Sequence, residues 1–417
     1  MSRYKIEGGN RLSGTVYVHG AKNAALPILA ATIINRGKSV IHNCPDLSDV
    51  SSIISILEML GCTVNRKEKT LFVDSSGFTS CKIPLDAMRE TRSSTLFAGA
   101  MIARCQSAFI SGSGGCCIGK RPIDMHLSGF EKMGIEVCSK ADGVQCKGGP
   151  VGYSHIKLTF PSVGATENLM LAASVNTSMT IISNAAKEPE IVNLAEYLRS
   201  VGVKINGDGT GKIIIKGTRC FKDGEVTIIP DRIVASTYIA SVACAGGEIT
   251  VENVNPAHLS SVIGIYRRMG LSVRSEKSSL HIKKNALFNN LMLVNTEAFP
   301  GFPTDCQPLL VASMATAAGV GFVREKIFEN RLSHCGALNR MGADLHTNGS
   351  VITVNGVRIL KGADIDAHDL RCGAALCAAA LGAEGTSYVN RINYIERGYE
   401  NLCTDLAGLG ALIERID

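Results

Sequence analysis

An apolar residue followed by glycine closes what reads as an amphipathic helix six times along this chain. The six pairs are Leu60-Gly61, Met133-Gly134, Val201-Gly202, Met269-Gly270, Met341-Gly342 and Leu409-Gly410, and successive glycines stand 73, 68, 68, 72 and 68 residues apart. Self-similarity at so steady an interval restricts the chain to an array of one supersecondary unit. The glycine itself is explained by helix termination, since the residue after a helix often takes a left-handed conformation that costs glycine nothing. It therefore carries no chemistry, and attention passes to the unit around it.

Each unit starts with an extended segment, turns through polar residues into a helix of small side chains, and continues as strand, amphipathic helix and a two-stranded element. The small-residue helices are expected over 24–33, 93–103, 165–175, 235–244, 306–316 and 373–381, and helices that slender pack closely and are buried. Strands are expected at Ser39-Val40-Ile41-His42, Met179-Thr180-Ile181-Ile182 and Glu248-Ile249-Thr250-Val251, from β-branched content and alternation. The class is α/β. Copies one to three run from about Gly14 to Gly217 and copies four to six from about Glu225 to the C-terminus. The last copy lacks a strand, which Tyr4-Lys5-Ile6-Glu7 could supply. The expected domains are 22–229 and a discontinuous 1–21 plus 230–417, with hinges near Val18 to Lys22 and Thr227 to Arg232 and a ligand cleft between lobes.

The chain has 417 residues, 45% of them hydrophobic, and a net charge of +6, enough for a large core and a mild basic excess without Lys/Arg blocks. That balance suits a small anionic substrate. No nucleic-acid reader motif occurs and aromatic residues are only 5%, which argues against nucleic acid as a partner. No apolar h-region follows the first residues and no run of 18 apolar residues occurs, so a cytoplasmic protein without membrane spans is expected. The 15 cysteines are scattered without the spacing of a disulfide scaffold or a zinc site, so reduced thiols and no metal or other cofactor are expected.

Chemistry-bearing residues gather in the glycine-rich segment from Ser111 to His126, which reads as a mobile lid, and in the turn before each small-residue helix: Lys22-Asn23, Arg92-Ser93, Ser162-Val163-Gly164, Asp231-Arg232, Thr304-Asp305 and Asp369-Leu370-Arg371. A helix start offers free N–H groups and the positive end of a dipole, so several of them aimed at one place would trap an anion. Gly207-Asp208-Gly209-Thr210-Gly211-Lys212 lacks the spacing of a phosphate loop and joins two strands, so a hairpin turn is expected there.

Five segments in order along the chain, Gly20-Ala21-Lys22-Asn23-Ala24-Ala25-Leu26-Pro27, Gly115-Cys116 with Arg121-Pro122-Ile123-Asp124, Ser162-Val163-Gly164-Ala165-Thr166, Phe302-Pro303-Thr304-Asp305 and Arg397-Gly398-Tyr399-Glu400, closely resemble the UDP-N-acetylglucosamine 1-carboxyvinyltransferase family of enolpyruvyl transferases. The resemblance spans essentially the whole chain. It implies two inside-out α/β barrel lobes of three βαβαββ units each. It also implies transfer of the enolpyruvyl group of phosphoenolpyruvate to the 3′-hydroxyl of UDP-N-acetylglucosamine with release of phosphate, an early step of peptidoglycan synthesis.

The same resemblance implies the roles. Cys116 is the acid that protonates the methylene carbon and the thiol alkylated by fosfomycin; Asp305 is the base for the sugar hydroxyl. Lys22, Arg121 and Arg397 hold the phosphate side, Arg331 and Arg371 the carboxylate side, and Arg92 faces the UDP-sugar. Asn23, Arg121, Pro122, Ile123, Asp124, Met125, Ser162, Val163, Gly164, Asp305 and Ile327 recognise that sugar nucleotide. By residue type alone Val163 and Ile327 read as core, His126 as a satisfied loop histidine, and Asp305 as a helix N-cap. Cys117 stands where the family has a small nonreactive residue, and Phe160 where some members have a lysine. The alternatives are the sister transferase acting on shikimate 3-phosphate and a UDP-sugar-binding paralogue without turnover.

Overall fold

The computed structural model describes residues 2–84, 93–111 and 122–417. They form two compact units with separate apolar cores, one made of residues 2–19 and 230–417 and the other of 20–84, 93–111 and 122–229. The chain passes between units at His19–Gly20 and again at Ile229–Pro230. No helix among the described residues is long and apolar enough to cross a membrane.

One sheet pattern recurs. In the fourth copy the central strand Gly247–Glu252 runs parallel to Leu12–Tyr17 and antiparallel to Ser279–Lys284, which pairs in turn with Leu271–Ser275. Alternation fixes its faces: Ile249 opposite Ile282 and Val251 opposite Leu280 are buried, while Glu248 opposite Lys283 forms an exposed ion pair of 2.9 Å. The same four-strand order occurs around Lys38–His42, Met179–Ser183, Val320–Arg324 and Thr386–Asn390, and a three-stranded version around Ser107–Ser111. In the last sheet Arg3–Glu7 lies between Thr386–Asn390 and Leu412–Ile416, antiparallel to both. The first strand of copy one, Leu12–Tyr17, thus serves the sheet of copy four, and Gly224–Thr227 serves the sheet of copy one.

The six apolar-Gly pairs end their helices as expected, all six glycines having φ between +83° and +115°. The slender helices fill the middle of each unit. In the first, Arg232–Ala245, Gln307–Met314 and Leu370–Leu381 pack on one another; in the second, Ser93–Cys105 packs against Lys22–Ala31 and Val163–Ala173. The closeness depends on small residues: a Cβ on Gly99 would lie 2.2 Å from the Asn168 carbonyl oxygen of the neighbouring helix. Lys204–Asn206 and Lys212–Lys216 are antiparallel across the Gly207–Lys212 turn, where Arg199 holds Asp208 with two hydrogen bonds of 2.8 and 3.1 Å.

The cysteines depart from expectation at one place. Cys81 and Cys105 are joined as a disulfide. The pairing brings together a loop cysteine and the last residue of a helix 24 positions on, a juxtaposition that spacing alone does not reveal. Eleven other described cysteines are free, most of them buried.

Candidate active site

In the first unit the site is built on the 3-10 turn Thr304–Cys306 that leads into Gln307–Met314. Asp305 does not cap that helix. Its Oδ1 lies 2.8 Å from Arg331 Nη1, and its Oδ2 accepts from Arg371 Nη2 at 2.9 Å and Nε at 3.2 Å. The side chains of the two arginines keep 4% of their exposure each and that of Asp305 keeps 24%, so the carboxylate is the most exposed of the three. Burial pushes its pKa up, but the Arg371 and Arg331 guanidiniums outweigh burial and hold the carboxyl well below the usual carboxylate range.

Each arginine is fixed by its own surroundings. Arg371 is the second residue of Leu370–Leu381, whose N-cap Asp369 accepts from the Arg371 and Cys372 amides at 2.8 and 3.0 Å. Arg331 Nη1 also donates to Thr304 Oγ1 at 3.0 Å, and Thr304 in turn donates to Glu325 Oε2 at 2.9 Å. Glu325 Oε1 gathers the Thr296 hydroxyl and the Ile327 and Phe328 amides at 2.8, 2.8 and 3.1 Å. One buried carboxylate thus ties Ile327 to the turn that carries Asp305. Arg331 Nε and Arg371 Nη1 are buried and find no acceptor among the described residues. Two buried cations with donors to spare are suited to an anionic guest.

Arg397 ends the turn Ile392–Arg397, which packs on Leu370–Leu381. Gly398 makes that contact possible, because a Cβ there would lie 2.7 Å from Leu370 Cδ2. The expected cations Arg331, Arg371 and Arg397 are therefore drawn to one end of one helix, and Asp305 is with them.

In the second unit Lys22 begins Lys22–Ala31, and its Nζ lies 3.1 Å from Asp49 Oδ2 at the start of Ser48–Met59. Asn23 beside it is half-buried. Ser162 caps Val163–Ala173 by accepting from the Ala165 amide at 3.3 Å. Val163 and Ile327, which read as core, are half-buried, as are Ile123 and Met125, whereas Pro122, Asp124 and Phe160 are exposed. The helix Asp124–Lys132 brings His126 against the Ser162 turn: a Cβ on Gly164 would sit 3.5 Å from His126 Cε1. His126 and Gly164 are thereby neighbours. Arg92, Cys116, Cys117 and Arg121 lie outside the described residues.

Several participants gave no sequence signal. Asp49 and Glu325 are ordinary polar residues whose side-chain partners are distant in sequence. Thr304 and Asp369 stand in two of the turns singled out from the sequence, and the structure adds their partners, Arg331 and Glu325 for the first and the Arg371 and Cys372 amides for the second.

Comparison with known proteins accounts for the six repeated sheets in two units. The chain belongs to the enolpyruvyl transferases: the family model described as EPSP synthase (3-phosphoshikimate 1-carboxyvinyltransferase) matches residues 6–406. It is 47% identical to UDP-N-acetylglucosamine 1-carboxyvinyltransferase 2 of Caldanaerobacter subterraneus subsp. tengcongensis over 416 residues, covering 100% of both chains. It is 42% identical to UDP-N-acetylglucosamine 1-carboxyvinyltransferase of Campylobacter fetus subsp. fetus over 420 residues, again with 100% of both. Among solved structures, the enolpyruvyl transferase NikO of Streptomyces tendae superposes with a TM-score of 0.88 at 24% identity, over 99% of this chain and 98% of that one. EPSP synthase of Acinetobacter baumannii does so with 0.73 at 18%, over 100% of each. Those two likenesses establish the fold.

Proposed function

We propose that this enzyme transfers the enolpyruvyl group of phosphoenolpyruvate to the 3′-hydroxyl of UDP-N-acetylglucosamine and releases phosphate by addition and elimination. The full-length identity of 47% to a UDP-N-acetylglucosamine 1-carboxyvinyltransferase carries the choice of acceptor, and the Asp305–Arg331–Arg371 cluster supports the chemistry. The reaction belongs to peptidoglycan synthesis in the cytoplasm, and through it to cell shape and division.

In the addition, the sugar oxygen bonds to C2 of phosphoenolpyruvate as its proton passes to Asp305, and the C2–C3 π pair takes a proton from the Cys116 thiol. In the elimination, C3 returns a proton to the Cys116 thiolate, the C2–C3 double bond re-forms and the C2–O bond to phosphate breaks. Lys22, Arg121 and Arg397 neutralise the phosphate, and Arg331 and Arg371 take the carboxylate. Asn23, Arg92, 122–125, 162–164 and Ile327 recognise the UDP-sugar. A carboxylate held as low as Asp305 is a poor base. The substrate carboxylate, bonding Arg331 Nε and Arg371 Nη1, shares the two cations that hold Asp305 down, and its arrival raises the basicity of Asp305 when a base is needed.

The test is phosphate release from phosphoenolpyruvate with each acceptor. Dependence on UDP-N-acetylglucosamine is expected, as is near-complete loss in Cys116→Ser and Asp305→Ala, with fosfomycin adding its mass at Cys116. Release driven by shikimate 3-phosphate, or by neither acceptor, overturns the reading, and an adduct on Cys117 overturns the assignment of the acid.

A further inference from the structure

The helices Ser93–Cys105, Asp124–Lys132 and Val163–Ala173 meet at one buried amide, that of Asn168. One end of it faces two backbone carbonyls, Thr95 O at 2.9 Å and Gly164 O at 3.2 Å, and the other end faces the Gly99 N–H at 2.6 Å. Carbonyl oxygens accept and an N–H donates, so the backbone alone decides which end is the NH2 and which the oxygen.

That orientation dictates a second one. The Asn168 NH2 lies 3.1 Å from His126 Nδ1. An NH2 cannot accept, so Nδ1 must present its lone pair, and in the neutral ring the proton resides on Nε2. The ring is 6% exposed, and burial pushes its pKa down to about 4, which keeps it neutral through the physiological range. Its Nε2–H finds no acceptor among the described residues. The ring edge carrying Nε2 and Cε1 faces Gly164, whose added Cβ would lie 3.7 and 3.5 Å from them.

Two more donors stand beside it. Val163 and Gly164 are the first residues of an 11-residue helix, and their amides have no intrahelical acceptor by position, the Ala165 amide being the one that Ser162 satisfies. We propose that His126 is a binding residue for the diphosphate of the UDP-sugar, its Nε2–H donating to a phosphoryl oxygen alongside the Val163 and Gly164 amides. The proposal rests on the reading that the Ser162–Gly164 turn holds that nucleotide. His126 thereby does more than fill a loop, because the buried Asn168 amide selects the tautomer that the ligand needs.

The experiment compares His126→Phe and His126→Gln with wild type, in KM for UDP-N-acetylglucosamine and phosphoenolpyruvate and in inhibition by UDP and by uridine. Phenylalanine removes the donor but leaves the Asn168 NH2 two carbonyl acceptors, Thr95 O and Gly164 O, so the unit retains its fold, which the thermal midpoint checks. Expected in His126→Phe is a loss of roughly 10- to 100-fold in affinity for the UDP-sugar and for UDP, the range for a hydrogen bond to a charged group. Uridine inhibition and the KM for phosphoenolpyruvate should hold. Glutamine, which places an N–H near Nε2, should recover most of the loss. Equal effects on UDP and uridine, or no effect on either, overturn the proposal. Wild-type turnover without dependence on UDP-N-acetylglucosamine instead overturns the function on which it rests.

Discussion

Asp305 and Arg371 meet side-on, a single carboxylate oxygen accepting from both Nε at 3.2 Å and Nη2 at 2.9 Å of the guanidinium. With the other oxygen on Arg331, the carboxylate is fully engaged before any substrate arrives. Asp305→Asn keeps the shape and removes the charge. Turnover should fall by roughly 100- to 10,000-fold, the range for losing a general base, while the KM for phosphoenolpyruvate stays or falls because both arginines lose their internal counter-charge. Steady-state kinetics decides it, and turnover within tenfold of wild type would remove Asp305 from the base role.

Lys22 and Asp49 form an ion pair whose side chains are 12% and 9% exposed. Removing Asp49 takes a close counter-charge from a largely buried Lys22. Asp49→Ala should destabilise the enzyme by about 3 kcal/mol, and the Lys22→Met, Asp49→Leu double variant should cost less than the two single changes together. Urea unfolding of the four proteins measures the coupling, and strict additivity would count against the pair.

His126 and His334 are both buried, and burial pushes each down to about 4; for His334, Asp369 opposes that shift and Arg331 adds to it. The unfolded chain takes up these protons near pH 6.5, the folded one only near 4. Their contribution to stability is therefore complete above 6.5 and is lost as pH falls through that window, by roughly 3 kcal/mol per histidine at its lower end. His126→Gln should flatten the acid limb of a plot of urea midpoint against pH. Parallel curves would show that the ring is protonated in the folded state as readily as in the unfolded one.

Glu167 is buried, and burial, with Glu190 and then Glu188 nearby, raises its pKa well above the ordinary value of 4.5. Here the sign reverses. Stability from this group is complete below about 4.5 and declines as pH rises toward the folded pKa. Glu167→Gln should raise the thermal midpoint at pH 8 and leave it unchanged at pH 4; an equal shift at both would assign the effect to packing instead.

The Cys81–Cys105 bond spans 24 positions. Chain-entropy arguments give a loop of that size about 3 kcal/mol of stabilisation. Reductant, or the paired Cys81→Ser, Cys105→Ser variant, should lower the thermal midpoint of the wild type, and reductant should do nothing further to the variant. No response of the wild type to reductant would show that the bond is not formed in solution.

The repeats were legible because a helix must end and a left-handed residue ends it, so Gly61 and its five counterparts marked the period in one dimension. The small-residue helices were legible from their lack of bulk, as Gly99 against Asn168 makes concrete. The exchange of Leu12–Tyr17 and Gly224–Thr227 between copies left no trace, since a strand's sequence states its faces but not its neighbour. The site divides the same way. Lys22, Arg331, Arg371 and Asp305 could be named from residue type and resemblance, but the ion pairs that hold them join positions 27, 26 and 66 apart. Asp305 illustrates the limit: local sequence offered a helix cap, and tertiary contacts supplied two guanidiniums.

The placement of Arg3–Glu7 between Thr386–Asn390 and Leu412–Ile416 sets an order of events on the ribosome. Arg3–Glu7 precedes both of its partners in the chain and must wait, unpaired, for them. The second unit, wholly contained between residues 20 and 229, can complete its core while synthesis continues, whereas the first cannot close its final sheet until Leu412–Ile416 has been made. During that interval a strand that alternates charged Arg3, Lys5 and Glu7 with buried Tyr4 and Ile6 keeps its edges open, and its charged face limits wrong pairing.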